Sequence, residues 1–350
     1  MLKAMKLSTL SSLKRAGVFS LVQNSKWRRD RLLILAFHGL SLADEHSWDP
    51  SLYIERSQFA ARLRLLKQSG CVVLTLSEAL QRLYAKDLPE RSVAITFDDG
   101  SYDFYAIAHP LLRDFNFPAT LYLTTFYSSY NRPVFDVMCS YLIWKGRGST
   151  LDLEPLIGRK DKVVLTTVAA RIATTHSLMQ FAYDMRLSAS DKDALLIRLA
   201  NSVRVDYDSL LNQRILHIMK PAEVQALEGV DIQMHTHRHR TPIDREKFVR
   251  EIEDNRRSIK DIVGTEAVHF CYPNGYSNLA FMPWLNELGV ESAVTSVPGI
   301  ATTRSHRLLL PRLVDTSALS SLEFEGWLSG VSNAFPQRLV TRRHRGLVNG

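Results

Sequence analysis

Short runs of consecutive apolar residues alternate along the chain with segments in which apolar residues recur at helical spacing. Residues 31–38 read Arg-Leu-Leu-Ile-Leu-Ala-Phe-His, an apolar run of strand length that ends on a polar residue. Parallel strands covered on both faces have this pattern. Similar runs occupy residues 71–76, 92–97, 119–124, 230–234, 268–272, 291–296 and 307–310.

Helical patterns separate most of these predicted strands. They lie at residues 58–68, 79–84, 104–115, 242–263 and 278–288. Thr75 and Glu78 stand at capping-box spacing before one helix, and Thr241, Pro242 and Asp244 mark the start of another. Seven or eight strands separated by helices predict an α/β fold, either a parallel β/α barrel or an open doubly wound sheet.

The alternation stops between residues 127 and 225. Residues 171–200 are helix-like, and residues 146–162 are polar and loop-like. We predict a mainly helical insertion over a domain formed by residues 31–126 and 226–320, with residues 321–350 as a C-terminal extension.

Most of the net charge of +8 is concentrated at the N-terminus. Residues 1–31 carry eight Lys or Arg residues against the single acidic residue Asp30. Apolar residues at helical spacing make residues 1–30 a predicted basic amphipathic helix. Such a helix can rest on an anionic membrane surface through residues 1–31, or it can pack on the domain.

Several classes of protein do not fit this sequence. Lys14, Arg15 and serines interrupt the apolar stretch that a secretory signal needs, and no run is long enough to span a membrane. The three cysteines form no CxxC pair. The sequence therefore favours a cytoplasmic protein, with peripheral contact at the inner membrane face as an option, and no nucleic-acid partner, since the charge is terminal and no binding motif accompanies it.

Two adjacent carboxylates follow the predicted strand at residues 92–97. Asp98, Asp99 and Gly100 stand at the carboxyl end of that strand, where parallel α/β folds build their active sites. Neighbouring side chains there point in different directions, so one carboxylate can bind a metal while the other acts as a base. Taken alone, Asp-Asp-Gly is also an ordinary turn.

A histidine cluster changes that interpretation. His235, His237 and His239 lie within five residues, directly after the predicted strand at 230–234. One helical turn between His235 and His239 would bring both rings to one side. Two imidazoles and one carboxylate are a ligand set for a catalytic zinc ion with an open position. A basic surface run with Arg238 and Arg240 is the alternative.

The third candidate motif is Phe270-Cys-Tyr-Pro-Asn-Gly275, again at a strand end. Pro followed by Asn-Gly predicts a sharp turn, and a backbone N–H held there could stabilise an oxyanion.

These three motifs, in this order and each after a strand, resemble those of the polysaccharide deacetylases, the family-four carbohydrate esterases that include chitin and peptidoglycan deacetylases. The resemblance implies a distorted (β/α)7 barrel. It also implies Asp98 as general base, and Asp99, His235 and His239 as ligands of Zn²⁺ or of another divalent metal such as Co²⁺, Ni²⁺ or Mn²⁺. The Asn274 N–H would be the oxyanion donor, and we expect Tyr272 and Pro273 beside it to contact the substrate.

The chain departs from the family pattern in two places. Many members begin the third motif with an arginine that orients the catalytic aspartate, whereas the nearby residues here are His269 and Phe270. Arg312 at the end of the last predicted strand could supply this guanidinium instead. The usual late segment with the general acid is not recognisable, which leaves His38 and His306 as candidates.

The predicted reaction is hydrolysis of the acetyl amide of an N-acetylated sugar, which yields acetate and a free amine. The basic N-terminus suits a membrane-attached glycan as substrate. An O-acetyl esterase and a catalytically inactive carbohydrate-binding protein are the alternatives.

Overall fold

A barrel of parallel strands forms the centre of the computed structural model, which describes residues 2–336. We number its strands along the chain. They are β1 (Leu33–Phe37), β2 (Val72–Leu74), β3 (Ser92–Phe97), β4 (Ala119–Leu123), β5 (Val230–Met234), β6 (His269–Cys271), β7 (Ser292–Val294) and β8 (Leu313–Val314).

Seven strands follow one another around the barrel in the order β7, β6, β5, β4, β3, β1 and β8, and β2 pairs beside them with β3. All the pairings are parallel, with Leu35 opposite Ile95 and Leu121 opposite Ile232. A parallel bridge between Val294 and Leu310 brings the two ends of this sheet together. The fold is therefore the predicted distorted β/α barrel rather than an open sheet.

Helices surround this barrel and extend from it. We number eleven of them: α1 (Leu2–Arg15), α2 (Arg56–Gln68), α3 (Leu76–Ala85), α4 (His109–Phe115), α5 (Phe135–Lys145), α6 (Val168–Asp184), α7 (Ala189–Ser202), α8 (Tyr207–Asn212), α9 (Arg245–Val263), α10 (Phe281–Glu287) and α11 (Ser321–Ser329). Short helices span Val18–Gln23, Lys26–Arg29, Glu45–Trp48, Phe126–Ser129, Glu154–Ile157 and Pro221–Gln225.

The apolar strand runs are continuous because every residue of β1, β3 and β4 is buried. Phe37 stacks on Phe97 with ring centroids 5.2 Å apart, and Phe59 from α2 packs edge-on against both rings. Burial of each such side chain stabilises the fold by about 1.5–3 kcal/mol. This rigid core holds the strand ends on which the polar motifs stand.

The insertion has a hydrophobic core of its own. Met138 and Leu142 from α5 pack with Leu178 from α6 and with Leu195 and Leu199 from α7. The segment predicted as a loop contains a short antiparallel hairpin, Thr150–Asp152 with Lys162–Val164. Three-residue strands leave too short a pattern to recognise in the sequence.

Two predicted boundaries are wrong. Residues 307–310 form no strand: Arg307–Leu309 is a 3₁₀ turn whose Leu308 N–H donates to the His306 ring, and β8 begins only after Pro311, which has no N–H to donate. Helix α9 begins at Arg245 rather than at Pro242. Its cap is Asp244, which accepts from the Lys247 N–H at 2.9 Å, and not Thr241.

The basic N-terminal helix packs on the domain. Leu10 of α1 is fully buried beside Phe19 and Val331, and Lys6 lies 3.4 Å from Glu323 on α11. The basic residues of α1 therefore contact carboxylates of the protein, as expected if the helix packs on the domain. Contact with a membrane is not supported. Among residues 2–336, no helix has the length and apolar character needed to cross a bilayer.

Helix α11 was predicted as part of a C-terminal extension, yet it belongs to the barrel. Phe324 and Trp327 are buried in the main core, because the helix packs on α2. The remainder of that predicted extension, residues 337–350, lies outside the described residues.

Candidate metal and catalytic site

The two aspartates lie where β3 ends. The Asp98 N–H still donates to the Phe37 carbonyl of β1, whereas Asp99 and Gly100 turn away with φ angles of 71° and 81°. A side chain at position 100 would put its Cβ 2.3 Å from the Leu123 side chain, which explains why glycine follows the pair. This turn points the two carboxylates in different directions, as predicted.

The three predicted metal ligands, Asp99, His235 and His239, lie close together in the structure. The Asp99 Oδ1 atom lies 3.1 Å from the His235 Nε2 atom and 3.1 Å from the His239 Nε2 atom. Their ligand atoms all lie within 4.8 Å of one another. Asp99 is about a quarter exposed, so the group is open to solvent on one side.

The surroundings of His235 prepare its ring for a metal. Its Nδ1 lies 2.9 Å from the Cys271 carbonyl oxygen, which can only accept, so Nδ1 carries a proton and Nε2 is the ring nitrogen left to bind a cation. Burial lowers the pKa of His235, but Cys271 and the hydrogen bond with Asp99 raise it more, so the net direction is upward. Asp99 thus attracts positive charge to Nε2, and the donor set fits a divalent cation in place of that proton.

The sequence suggested that one helical turn brings His235 and His239 together. The structure has no helical turn between them. Thr236 and His239 have φ angles of 64° and 55°, so the chain between the ligands is a tight loop. The loop turns His237 away from the ligands, where its Nδ1 lies 2.8 Å from the Thr125 hydroxyl. His237, to which the motif assigned no role, therefore joins the ligand loop to the end of β4.

Two residues of α9, missed in the sequence, hold this ligand loop. Asn255 is fully buried; its Oδ1 accepts from the His235 N–H at 3.0 Å, and its Nδ2 donates to Leu123 and Thr125. One turn earlier, the buried Glu251 accepts from the Arg238 N–H at 2.7 Å. A polar residue on the apolar stripe of an amphipathic helix is the sequence signal that could have identified Asn255.

The other aspartate, Asp98, is bound by Arg312. Two parallel hydrogen bonds of 2.8 Å join the guanidinium to both carboxylate oxygens, and both side chains are buried. Arg312 also donates to the Thr295 carbonyl and to the Thr96 hydroxyl, so its plane is fixed. The structure thus places Arg312 where the sequence suggested, although the residue precedes β8 instead of ending a strand.

This pair sets the charge of Asp98. Burial raises the pKa of the carboxyl group, but the charge and hydrogen bonds of Arg312 more than offset burial and hold that pKa well below its usual range. Asp98 is therefore ionised at physiological pH. Burial lowers the pKa of Arg312, but the charge of Asp98 raises it by more, so the net direction is upward and the guanidinium stays charged.

A second group of possible ligands, Asp98, His235 and Cys271, also lies close together. Arg312 occupies it, because its Nη2 atom contacts the Asp98 carboxylate at 2.8 Å and the Cys271 sulfur at 3.2 Å. Burial also raises the pKa of the Cys271 thiol, which disfavours the thiolate that a metal needs. The donor set with Asp99 is therefore the better metal site.

The third motif forms the predicted turn. Pro273–Gly275 is a single 3₁₀ turn in which Asn274 has a left-handed φ of 57°. Tyr272 and Pro273, expected to contact the substrate, are instead buried. The Tyr272 hydroxyl donates to the Leu308 carbonyl at 3.0 Å, so its side chain belongs to the core. Substrate contact by Tyr272 and Pro273 stays a prediction, and their burial does not support it.

The two histidines named as candidate acids, His38 and His306, lie in different places. His38, at the end of β1, has its Nε2 atom 3.5 Å from Asp98 Oδ2, within the site. His306 is exposed, and its ring caps the 3₁₀ turn at Arg307–Leu309. His269 lies at the start of β6, with its ring between the hydroxyls of Ser77 and Ser292. Only His38 contacts the residues of the proposed chemistry.

Two stretches of the chain, residues 85–140 and 209–293, match the family model for polysaccharide deacetylases. The chain belongs to the polysaccharide deacetylase family. Both aspartates, the histidine cluster and the third motif fall within the matched stretches, whereas helices α6 and α7 of the insertion lie between them.

Curated relatives match parts of this deacetylase-family chain. A Bacillus subtilis protein named as a polysaccharide deacetylase, YxkH, is 34% identical over 94 residues, which cover 27% of this chain and 32% of the relative. The poly-β-1,6-N-acetyl-D-glucosamine N-deacetylase of Staphylococcus aureus is 36% identical over 72 residues, which cover 21% of this chain and 25% of the relative. The matches thus span a third or less of these relatives' length.

Solved structures share the fold over most of the chain. The Streptococcus pyogenes deacetylase PplD, in complex with acetate, has a TM-score of 0.56 at 17% identity and covers 87% of this chain and 99% of its own. IcaB from Ammonifex degensii has a TM-score of 0.51 at 15% identity and covers 87% and 97%. At these identities the likeness shows the barrel fold alone.

Proposed function

We propose that this member of the family is a divalent-metal-dependent deacetylase that hydrolyses the acetyl amide of an N-acetylated sugar in a glycan. The convergence of Asp99, His235 and His239 is the observation that carries the proposal. A bound Zn²⁺ or similar cation would polarise the acetyl carbonyl and acidify water, and these three side chains would hold it.

Asp98 is the general base in this mechanism. It is ionised, buried and oriented by two hydrogen bonds from Arg312, so its carboxylate can accept the proton of the attacking water. A carboxylate with a lowered pKa is a weak base. The same contact that orients Asp98 therefore makes the reaction depend on acidified water.

The remaining roles fall to backbone and histidine. The N–H of Asn274, in the turn after β6, would donate to the acetyl oxygen as negative charge develops there. His38 would donate a proton to the departing amine, and its position 3.5 Å from Asp98 supports this assignment. Both residues lie at the ends of barrel strands, where the family resemblance implies that the active site is built.

The names of the relatives support the proposed substrate class. The S. aureus relative is named for poly-β-1,6-N-acetyl-D-glucosamine, and we propose a related N-acetylated glycan in exopolysaccharide or lipopolysaccharide biosynthesis as the substrate here. An O-acetyl esterase is the second candidate, because the same residues attack an ester more easily than an amide. The cytoplasmic location stays a prediction.

A substrate panel tests this function. We expect the zinc-loaded full chain to release acetate from oligosaccharides of β-1,6-linked N-acetylglucosamine, measured by an enzyme-coupled acetate assay. Chelation should abolish the release and added Zn²⁺ or Co²⁺ should restore it, because the ligand set would be empty and then refilled.

Each other outcome selects a different function. Acetate released only from O-acetylated glycans would favour the esterase. Bound zinc with no acetate from any acetylated glycan would identify an inactive carbohydrate-binding protein. Acetate release that persists after complete metal removal would contradict the metal-dependent mechanism.

A further inference from the structure

A cavity of about 570 Å³ opens beside the loop that follows the two aspartates. Asn131 and Arg132 line one part of it, and side chains between residues 208 and 220 line the remainder. None of these residues belongs to the proposed catalytic site. The volume is within the range of sites that bind small organic ligands.

The cavity wall is bonded directly to the aspartate loop. The Met219 N–H donates to the Gly100 carbonyl at 2.9 Å, and the Tyr102 N–H donates to the His217 carbonyl at 2.8 Å. The Arg214 guanidinium covers the Tyr102 ring, 4.0 Å from its centre. The cavity wall is therefore joined to residues 100–102, the segment that directly follows the two aspartates.

The charges of the cavity are balanced. Arg132 lies 3.1 Å from Asp193, and Arg214 forms an ion pair with Glu223. The lining itself contains one further cation, Lys220, and one carboxylate, Asp208. A lining of this kind does not select a strongly charged ligand.

The lining presents both donors and acceptors. Asn212 offers both through its amide. The His217 Nδ1 atom donates to the Ile215 carbonyl at 3.0 Å, which makes Nε2 an acceptor, and burial lowers the pKa of this ring, so it is neutral. Sugar hydroxyls both donate and accept, and a mixed lining suits them.

Polar atoms near this wall lack partners within residues 2–336. The Tyr207 hydroxyl, on the residue before Asp208, is buried without a hydrogen bond, as is the Arg214 Nε atom. Leaving a buried polar atom unsatisfied costs about 1–3 kcal/mol. Arg214 and Leu216 also have left-handed φ angles of 56° and 58°, a strain that is often found at functional sites.

We propose that this cavity is a subsite for an uncharged sugar residue of the glycan, next to the residue that is deacetylated. The inference rests on the proposed function and narrows its substrate class. A ligand that fills both places is an oligosaccharide or polysaccharide, so the free monosaccharide is the poorer substrate.

Kinetics of cavity variants test this subsite. We expect Asn212→Ala and Lys220→Ala to raise KM for a β-1,6-linked N-acetylglucosamine pentasaccharide about five- to tenfold, as the loss of one hydrogen bond predicts. KM for N-acetylglucosamine should rise much less. Arg257→Ala, which removes an exposed arginine on α9, is the matched control with unchanged kinetics.

Direct binding separates this inference from the proposed function. The Asp98→Asn chain, titrated with the same pentasaccharide by calorimetry, should bind it, and adding Lys220→Ala should weaken that binding. This result without acetate release from the parent chain would retain the subsite and reject the deacetylase. Equal affinity with and without the cavity substitutions, or no binding to either chain, would overturn the subsite.

Discussion

At the scale of single residues, one guanidinium determines both the position and the charge of the proposed base. Arg312 makes two hydrogen bonds of 2.8 Å to Asp98, in a place where neither group contacts bulk water. Without Arg312, burial would be the dominant influence on the carboxyl group. The pKa of Asp98 would then rise instead of falling.

Arg312→Met should therefore change the pH profile as well as the rate. Asp98 must be ionised to act, so activity falls as pH decreases through its pKa. We expect the acidic limb of kcat/KM to move to higher pH in the variant, together with a loss of stability of about 3–5 kcal/mol from the unpaired buried charge. Arg312→Lys keeps the charge and is the matched control for the profile. An acidic limb that stays in place in Arg312→Met would show that Arg312 supports only the fold.

The sequence located the candidate site residues at the ends of strands, where the structure brings them together. The proximity of Asp99, His235 and His239 could be predicted because the order and spacing of their motifs resemble a known family. The position of Arg312 could be predicted because the third motif lacks the arginine that this family has there.

The polar Asn255 on an apolar helix stripe gave a signal that it has a buried partner, but its contact with the His235 N–H, 20 positions away, depends on the tertiary fold. The contact of the Cys271 sulfur with Asp98, 173 positions away, had no sequence signal. The hydrogen bond of Tyr272 with Leu308 had no sequence signal either, since the two residues lie 36 positions apart.

At the scale of elements, helix α9 supports the ligand loop. Its buried face places Glu251 and Asn255 one turn apart, where they hold the backbone of Arg238 and of His235. The loop between the ligands has two left-handed residues and could not keep this shape on local preference alone. The helix thus preorganises the two imidazoles.

Asn255→Ala should weaken zinc binding about 10- to 100-fold, since groups that orient metal ligands have effects of this size. Calorimetric titration of the metal-free chain with Zn²⁺ measures it. Ile259→Val, one turn further along the same buried face, is the control: it should cost about 0.5–1.5 kcal/mol of stability and leave zinc affinity unchanged. Unchanged affinity in Asn255→Ala would limit Asn255 to a structural role.

Most strands could be predicted because a continuous apolar run is typical of a strand that is buried on both faces. The strands at residues 92–97 and 230–234 match the prediction residue for residue. The hairpin at residues 150–164 and the late strand β8 were missed or misplaced, because segments of two or three residues have no measurable period. The cap of α9 was misplaced because Thr241 and Asp244 are both good capping residues.

At the scale of the whole molecule, helices from the two ends of the described chain pack together against the barrel. Helix α1 lies on α11, and α11 in turn packs on α2. Charge patterning alone left membrane contact and packing equally open. The ion pair of Lys6 with Glu323 supports packing, and it could not be predicted because it joins residues more than 300 positions apart in the chain.

The proposed division of labour between the two aspartates is the central claim, and one variant tests it most directly. Zinc content and acetate release should be measured on the same purified sample of Asp98→Asn. We predict one bound zinc ion, because Asp99, His235 and His239 remain, and a loss of turnover of at least about 100-fold, because the base is gone. Parent-level activity in zinc-loaded Asp98→Asn would contradict the mechanism, and loss of its zinc would show that Asp98 belongs to the metal site instead.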